Sequence, residues 1–567
     1  MKHYIALIAA LLSVTSTTFA APEDNIHNEV TITKDFTPVV REAEKITTQP
    51  SEATPIFRRS AVTYNYDILT AEVPTIASNL NIPFSRLNDR YYTHHRGYAD
   101  VAMGTYLAMT ANAGYRILDT NKDRLNIGLQ YTSLNWDIPV NSYASDIAEE
   151  KTRQTFYDLR IGAHYAHTFG NNITAAINGS YRLSHFNYYG AAGNQPTLCE
   201  THPFQTANNI FIEAQVDNHK ARSYDFEQWS ATGGYTLYTN ATGAYLPTPS
   251  TEHHAYLKGT YSRLLTDEWS VGGEINLDYL HYINILGSSA NLSTLPETYS
   301  DNIFMARLLP HIDWNKGRMH FRAGVKIDIS TGDGTIFRFA PDIHFNWEFV
   351  KNYFLYATID GGKRLHTWDE MSKYCLYFDP SQRIPSSYTP LDARLGFRLH
   401  FIPEVSLSAY AGYEAATGAL FQSVGTASQA IAWQSLKANC IKGGVRLDAN
   451  ITRYIDLSAD VTYRLWRHNR EVISYNRPRW EGNVKVTIHP HKQFNIDLGY
   501  NMQLDRDFGQ WGKLADIHNL QAAVTYFPID WISVFIQGNN LLNCKYDYYY
   551  GLAAPRIQAM VGVGIKF

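Results

Sequence analysis

Ile557-Gln558-Ala559-Met560-Val561-Gly562-Val563-Gly564-Ile565-Lys566-Phe567 closes the chain, and its side chains alternate in character. Ile557, Ala559, Val561, Val563, Ile565 and Phe567 are apolar, while Arg556, Gln558, Gly562, Gly564 and Lys566 interleave with them. Successive side chains of a strand point to opposite faces, so this period of two describes a strand with one apolar and one polar face. The pattern recurs upstream. Leu125, Ile127, Leu129 and Tyr131 alternate with Asn126, Gly128, Gln130 and Thr132. Phe321, Ala323, Val325, Ile327 and Ile329 alternate with His320, Arg322, Lys326, Asp328 and Ser330. Leu457, Ala459, Val461, Tyr463 and Leu465 alternate with Asp456, Ser458, Asp460, Thr462 and Arg464, and Ile496, Leu498, Tyr500, Met502 and Leu504 with Asn495, Asp497, Asn501, Gln503 and Asp505. A water-soluble sandwich also alternates, but these runs last about 10 to 13 residues, against about 5 to 6 for soluble strands, and a tilted strand needs about 9 to 11 to cross a membrane.

The connections alternate too. Tight ones fall at Asp119–Asp123, Thr266–Glu268, Lys316–Gly317, Lys351–Asn352, Pro490–Lys492 and Asp530, and longer stretches such as 137–152, 189–206, 284–300, 367–387, 416–436 and 506–517 lie between them. Short periplasmic turns and long outer loops mark bacterial outer-membrane barrels. The expected fold is therefore all-β, a transmembrane antiparallel barrel of about 22 strands (roughly 16 to 22, since 189–256 is the least regular stretch), beginning near Gly97. An even count puts both barrel ends on the periplasmic side.

The N-terminus agrees with export. Lys2 and His3 precede an apolar run from Tyr4 to Leu12, and small residues lead to Phe19 and Ala20, the layout of a secretory signal cleaved after Ala20. No later stretch approaches the ~18 to 20 apolar residues of a membrane-spanning helix. The 567 residues include 40 Tyr, 26 Phe and 11 Trp, a load that suits aromatic belts at two membrane interfaces. A net charge of -4 without a basic run argues against a nucleic-acid partner. The domain expectation is 1–20 signal peptide, 21–96 N-terminal periplasmic or plug-like segment, and 97–567 barrel.

Within that topology Cys199, Cys375, Cys440 and Cys544 all fall in outer loops or at outer strand ends. They are read either as one or two surface disulfides or as unpaired rim residues. Arg322, Lys326, Asp328, Asp456, Asp460, Arg464 and Asp497 carry the polar phase of their strands and are expected to line the lumen, because charges facing lipid are costly. His94-His95 and His253-His254 are strand neighbours pointing to opposite faces, so neither pair chelates as drawn. His489 and His491 sit at a periplasmic turn. No metal site, cofactor or catalytic grouping is expected, since no nucleophile stands at a telling spacing from a base.

The stretch Gln537-Gly-Asn-Asn-Leu-Leu-Asn-Cys-Lys-Tyr546, followed by Gly551, Pro555, Arg556 and the terminal Phe567, resembles the closing strands of TonB-dependent outer-membrane receptors. Asn540, Leu541, Leu542 and Asn543 fill the family's Asn-Leu-Phe-Asp/Asn piece, with Leu542 in place of Phe. Lys545 and Tyr546 fill its Lys-x-Tyr without the spacer, and Ala554-Pro555-Arg556 its Gly-x-Pro-Gly-Arg-like loop without glycine. About thirty residues carry the match. The resemblance implies a receptor barrel, but residues 21–96 are too short for the family's plug and lack its glycine-rich motifs. Glu29, Val30, Thr31, Ile32 and Thr33 form a strand-like run, read either as a TonB box that pairs with a sheet edge or as an ordinary exposed strand or disordered tail.

The expected function is transport of an unspecified solute across the outer membrane, with a TonB link as one form of it. The alternative is a scaffold, adhesin or assembly subunit that presents aromatic loops such as Tyr546-Asp-Tyr-Tyr-Tyr550. Expected partners are outer-membrane lipid, the solute, and TonB or another membrane or periplasmic protein.

Overall fold

The computed structural model describes residues 95–139, 151–170, 173–187, 204–218, 227–241, 249–286, 298–380, 383–402, 404–424, 431–452, 454–468, 477–507, 513–549 and 552–567. The signal sequence, the run Glu29–Thr33, nearly all of 21–96 and Cys199 lie outside the described residues.

The strands are β1 (Gly97–Gly104), β2 (Met109–Asp119), β3 (Asp123–Pro139), β4 (Lys151–Thr168), β5 (Thr174–Asn187), β6 (Phe204–Asp217), β7 (Glu227–Asn240), β8 (Ser250–Leu264), β9 (Trp269–Leu286), β10 (Thr298–Lys316), β11 (Met319–Thr331), β12 (Phe337–Val350) and β13 (Tyr353–Arg364). After the helix α1 (Trp368–Tyr374) come β14 (Ser387–Ile402), β15 (Val405–Val424), β16 (Ile431–Thr452), β17 (Ile455–His468), β18 (Pro478–His491), β19 (Phe494–Asp507), β20 (Lys513–Leu514), β21 (Ile517–Ile529), β22 (Ile532–Asn539), β23 (Asp547–Tyr549), β24 (Leu552–Ala553) and β25 (Gln558–Lys566). Each wall strand pairs antiparallel with its neighbour in sequence, and β25 returns to pair with β1, giving a closed barrel of 22 strands. Three short strands stand apart from that count: β20 pairs with β19 just ahead of β21, and β23 and β24 make a small hairpin between β22 and β25.

Closure follows from backbone chemistry. In hydrocarbon every N–H and C=O needs an internal partner, and a closed sheet leaves no edge. At the seam, Gly97 N donates to Phe567 O at 2.7 Å and Phe567 N to Gly97 O at 2.9 Å. The alternation read in the last segment is a burial pattern. Along β25, Gln558, Met560, Gly562 and Gly564 are buried, while Ala559, Val561, Val563 and Ile565 are exposed. Exposed apolar residues such as Ile212, Leu257, Leu395, Val445 and Ile536 continue this outward face on other strands, where it meets lipid tails. Near the end that holds Gly97 and Phe567, exposed Tyr98, Tyr115, Trp269, Phe401, Phe494 and Trp531 form an aromatic belt.

That end also carries the tight turns, so it is the periplasmic one. Two of its shortest turns use left-handed residues, Gly317 (φ 57) between β10 and β11 and Asn352 (φ 69) between β12 and β13, as two-residue hairpins require. The stretch 189–256, the least regular in sequence, contains three regular strands, β6, β7 and β8. Lipid-facing apolar surface around a closed barrel makes this an integral outer-membrane protein.

Cys375, Cys440 and Cys544 do lie on the outer side, in the β13–β14 connection, in outer β16 and in the β22–β25 loop, but they are not disulfide-bonded to one another. Of the two readings left open for the cysteines, the disulfide one does not hold for any pair among these three. Cys375 and Cys440 are each almost wholly buried and serve as small apolar packing residues.

Candidate functional site: a strap across the outer lumen

The connection between β13 and β14, described over residues 365–380 and 383–386, does not stand out into the medium. It folds back into the outer half of the barrel. Its only helix is specified locally: Thr367 caps α1, its Oγ1 accepting from Glu370 N at 3.1 Å, while Asp369 and Glu370 occupy the first turn and Lys373 the last. Acidic residues at the start and a basic one at the end oppose the helix dipole, and Lys373 pairs with Asp369 at 2.9 Å one turn away.

The wall completes the cap. Glu252, on the lumen face of β8 and almost wholly buried, accepts from Trp368 N with both carboxylate oxygens, at 2.8 and 2.9 Å. Trp368 is fully buried, with ring centres 5.2 Å from Tyr282 on β9 and 6.3 Å from Tyr238 on β7. Asn209 on β6 donates to the Asp369 carboxylate. On another stretch of wall, Tyr377 OH accepts from Gln154 Nε2 on β4 at 2.9 Å, and Gln154 Oε1 accepts from Trp136 Nε1 on β3 at 2.6 Å. Backbone bonds then bind the strap to β16: Ile431 N donates to Tyr377 O at 2.9 Å and Asp379 N to Ile431 O at 3.0 Å.

Its return leg is held by charge. Arg383 reaches Asp301 at 2.6 Å, Gly332 O at 2.8 Å and Asp333 at 2.9 Å, and Asp333 also accepts from Ser386 N at 3.1 Å. Two apolar clusters back the strap. One joins Trp368, Met371, Phe378 and Ile384 to Tyr238, Leu280, Tyr282 and Ile303. The other joins Cys375, Leu376 and Tyr377 to Leu134, Trp136, Phe156 and Phe186 and to Tyr546 and Tyr548 of the last outer loop. The strap thus touches the wall at β3–β5, at β6–β10 and at β16, which spans the lumen.

The seven residues expected to line the lumen lie on β11, β17 and β19 and do not converge. On β11, Arg322 pairs with Asp313 at 2.7 Å, Lys326 with the Asp360 carboxylate, and Asp328 with Arg307 at 2.6 Å. On β17, Arg464 pairs with Glu481 at 2.6 Å, Asp460 accepts from Asn483 at 3.1 Å, and Asp456 lies 3.5 Å from His489. Asp497 on β19 accepts from Thr487 at 2.7 Å. Between these patches Lys442 bridges Asp392 at 2.8 Å and Glu414 at 2.9 Å. The wall therefore neutralises its own charge locally and presents a polar, ion-paired lining. One of the seven belongs to the strap's root: Asp328 accepts from Lys363 N at 2.6 Å, where β13 turns into the strap.

Glu252, Gln154, Asp301, Asp333 and Arg383 were not singled out from sequence. Only Thr367-Trp-Asp-Glu370, a capping-box spacing inside the long 367–387 connection, carried a local signal for the strap. Of the two adjacent histidine pairs, His253-His254 splits across the wall as its spacing implied, and His94 lies outside the described residues. His253 faces out and His254 faces in, 3.0 Å from Asp278. His489 Nδ1 contacts Asn495 at 2.8 Å, and His491 is exposed. Among the described residues no group of three or more His, Cys, Asp or Glu is arranged to hold a metal ion.

No protein-family model and no curated protein sequence matches the chain. Solved structures do. The siderophore receptor PiuA from Acinetobacter baumannii is similar over 83% of this chain and 81% of its own, at 12% identity and a TM-score of 0.57. The ferric enterobactin receptor PfeA from Pseudomonas aeruginosa, in complex with BCV-L6, is similar over 83% and 81%, at 12% identity and a TM-score of 0.62. The FrpB iron transporter from Neisseria meningitidis is similar over 83% and 81%, at 9% identity and a TM-score of 0.63. At such identities the likeness is one of fold, and the chain has the 22-strand barrel fold of TonB-dependent siderophore receptors.

Proposed function

We propose that this protein is an outer-membrane transport barrel that admits a solute, with the strap 365–386 as its outer gate. The observation that carries this is the strap's construction. A short helix and its return leg cross the lumen on hydrogen bonds and ion pairs to separate walls, above a polar ion-paired lining. Contacts of this kind exchange for hydrogen bonds to water or to solute at small net cost. The receptor fold shared with PiuA, PfeA and FrpB supports the transport class. Energised opening would engage residues 21–96 as a periplasmic segment, with Glu29–Thr33 pairing to the sheet edge of a TonB-type partner.

One observation favours the scaffold instead. Trp368, Tyr377 and Phe378 are buried to 2% exposure or less, as in a permanent core. Planar-bilayer conductance separates the two. The whole protein, a variant lacking 21–96 and a variant with 367–380 replaced by a short flexible linker would be compared. Large steady conductance from the strap variant supports gated transport; silence from all three, with folding confirmed, sinks it in favour of the scaffold.

A further inference from the structure

We propose that His253 and His281 form a two-imidazole site for a divalent transition-metal ion on the outer rim of the barrel, facing away from the lumen. The two residues are direct cross-strand partners in the β8–β9 pairing. Their ring centres are 5.8 Å apart and their planes 32° apart. Both sit on the outward face: Tyr235 and Tyr279, which contact them, are exposed, and the neighbouring His254 turns the other way to Asp278.

The hydrogen bonds prepare the ligand atoms. Asn302 Oδ1 accepts from Tyr279 OH at 2.8 Å and from His281 Nδ1 at 2.7 Å. A carbonyl oxygen only accepts, so His281 carries its proton on Nδ1 and keeps a lone pair on Nε2. His253 Nδ1 is engaged by Tyr235 OH at 2.6 Å. Among the described residues neither Nε2 has a hydrogen-bond partner. An imidazole held through one nitrogen by a neighbouring oxygen, with the other nitrogen open, is how protein metal ligands are oriented.

The separation fits. With a metal–nitrogen bond of about 2.0–2.1 Å, a bound ion lies about 3.2 Å from each ring centre, and two tetrahedral ligands put those centres about 5.2 Å apart. The observed spacing needs only a small side-chain rotation to close. Imidazole pairs suit Cu2+, Ni2+ and Zn2+, and water would fill the remaining positions. Belt function alone accounts for Tyr235 and Tyr279 but not for two imidazoles face to face, which would repel each other if both were protonated. His185 supplies the contrast on the same rim. It stacks between Tyr157 and Phe204 and bonds Thr206 at 2.8 Å, with no second imidazole opposite.

The test is titration of the folded protein in detergent micelles with Cu2+, read by electron paramagnetic resonance and by a competing chelator. One equivalent is expected to show two nitrogen ligands. His253→Ala and His281→Ala should each leave at most one and weaken binding more than tenfold. Asn302→Ala should weaken it by about 10- to 100-fold, and His185→Ala should change nothing. A His253→Ala/His281→Ala double variant that keeps the first equivalent with the same spectrum and affinity would overturn the proposal, placing the ion among the other histidines of the 21 in the chain.

Discussion

Both carboxylate oxygens of Glu252 on the barrel wall lie within 2.9 Å of Trp368 N, so a lumen-facing strand residue caps a helix that belongs to a loop 116 positions away. Deleting that carboxylate leaves a buried N–H without its wall partner, which costs about 1–3 kcal/mol. Glu252→Ala is therefore expected to raise the population of undocked strap by roughly ten- to a hundredfold. Single-channel recordings should show more frequent openings, with gel-shift folding of the barrel unchanged. Glu252→Gln, which keeps one acceptor, should fall between. An unchanged opening frequency in Glu252→Ala would remove Glu252 from the gate.

The strap should also respond to acid through Glu370. Burial alone would raise its carboxyl, but the His366 imidazole 3.7 Å away and the Arg364 guanidinium outweigh burial and hold it below the ordinary glutamate value of 4.5. A carboxyl depressed in the docked state stabilises docking fully above its undocked value and loses that contribution as pH falls through the docked one. The Glu370 contribution to opening is thus expected to stay constant from neutral pH to about pH 5 and to grow below about pH 4. Glu370→Gln should abolish that acid-dependent rise while leaving the neutral-pH barrel folded. An identical pH profile in the variant would sink the assignment.

The wall was legible in sequence because the membrane dictates both halves of the pattern: Val561 and Val563 must meet lipid, and Gly562 and Gly564 between them must not. The pattern blurred in β6–β8 for a reason visible at Ala207 and Tyr238. These residues face inward but pack against the strap, so apolar side chains occupy both phases and the period-two contrast fades. Strand charges such as Arg322 and Arg464 could be assigned to the lumen, since facing lipid is costly. Their partners depend on register across strands and could not be read. The strap itself was nearly invisible. Tyr377 meets Gln154 across 223 positions, and no local periodicity encodes such a contact. The cysteines show the same division, with the outer side readable from topology and pairing not.

Inside the wall, Gly234 makes room for an aromatic ring. It pairs across strands with Tyr256 on one side and Glu213 on the other, and the Tyr256 ring lies over it so that its hydroxyl reaches Glu213 at 2.5 Å. A Cβ at this position would overlap the ring. Gly234→Val is expected to displace Tyr256 and destabilise the barrel by about 1–3 kcal/mol, the usual cost of overpacking. The temperature at which the folded band disappears on heat-modifiability gels should fall. Adding Tyr256→Ala to Gly234→Val should recover part of the loss, because the clash goes with the ring, whereas additive losses would contradict the packing argument.

The orientation of every strand rests on the lipid face, and β22 offers a sharp test of it. Ile536 is 58% exposed on that face, while its neighbour Gln537 is buried toward the lumen, 3.2 Å from Met560 Sδ. Ile536 lies four positions after the strand's start at Ile532 and three before its end at Asn539, which sets it near mid-membrane. Arginine there must stand in hydrocarbon, costing about 2–4 kcal/mol. Ile536→Arg should lower the unfolding midpoint in a lipid bilayer accordingly. In detergent micelles, whose headgroups can close over a charge, the loss should be smaller. Glu268→Arg, in the periplasmic turn where Glu268 is half-buried and pairs with Lys316 at 3.5 Å, should lose no more than that surface ion pair in either medium. Equal tolerance of arginine at 536 and 268 in bilayers would mean that Ile536 does not face lipid, and the inward assignment of Gln537 and of the alternating positions on β25 would fall with it.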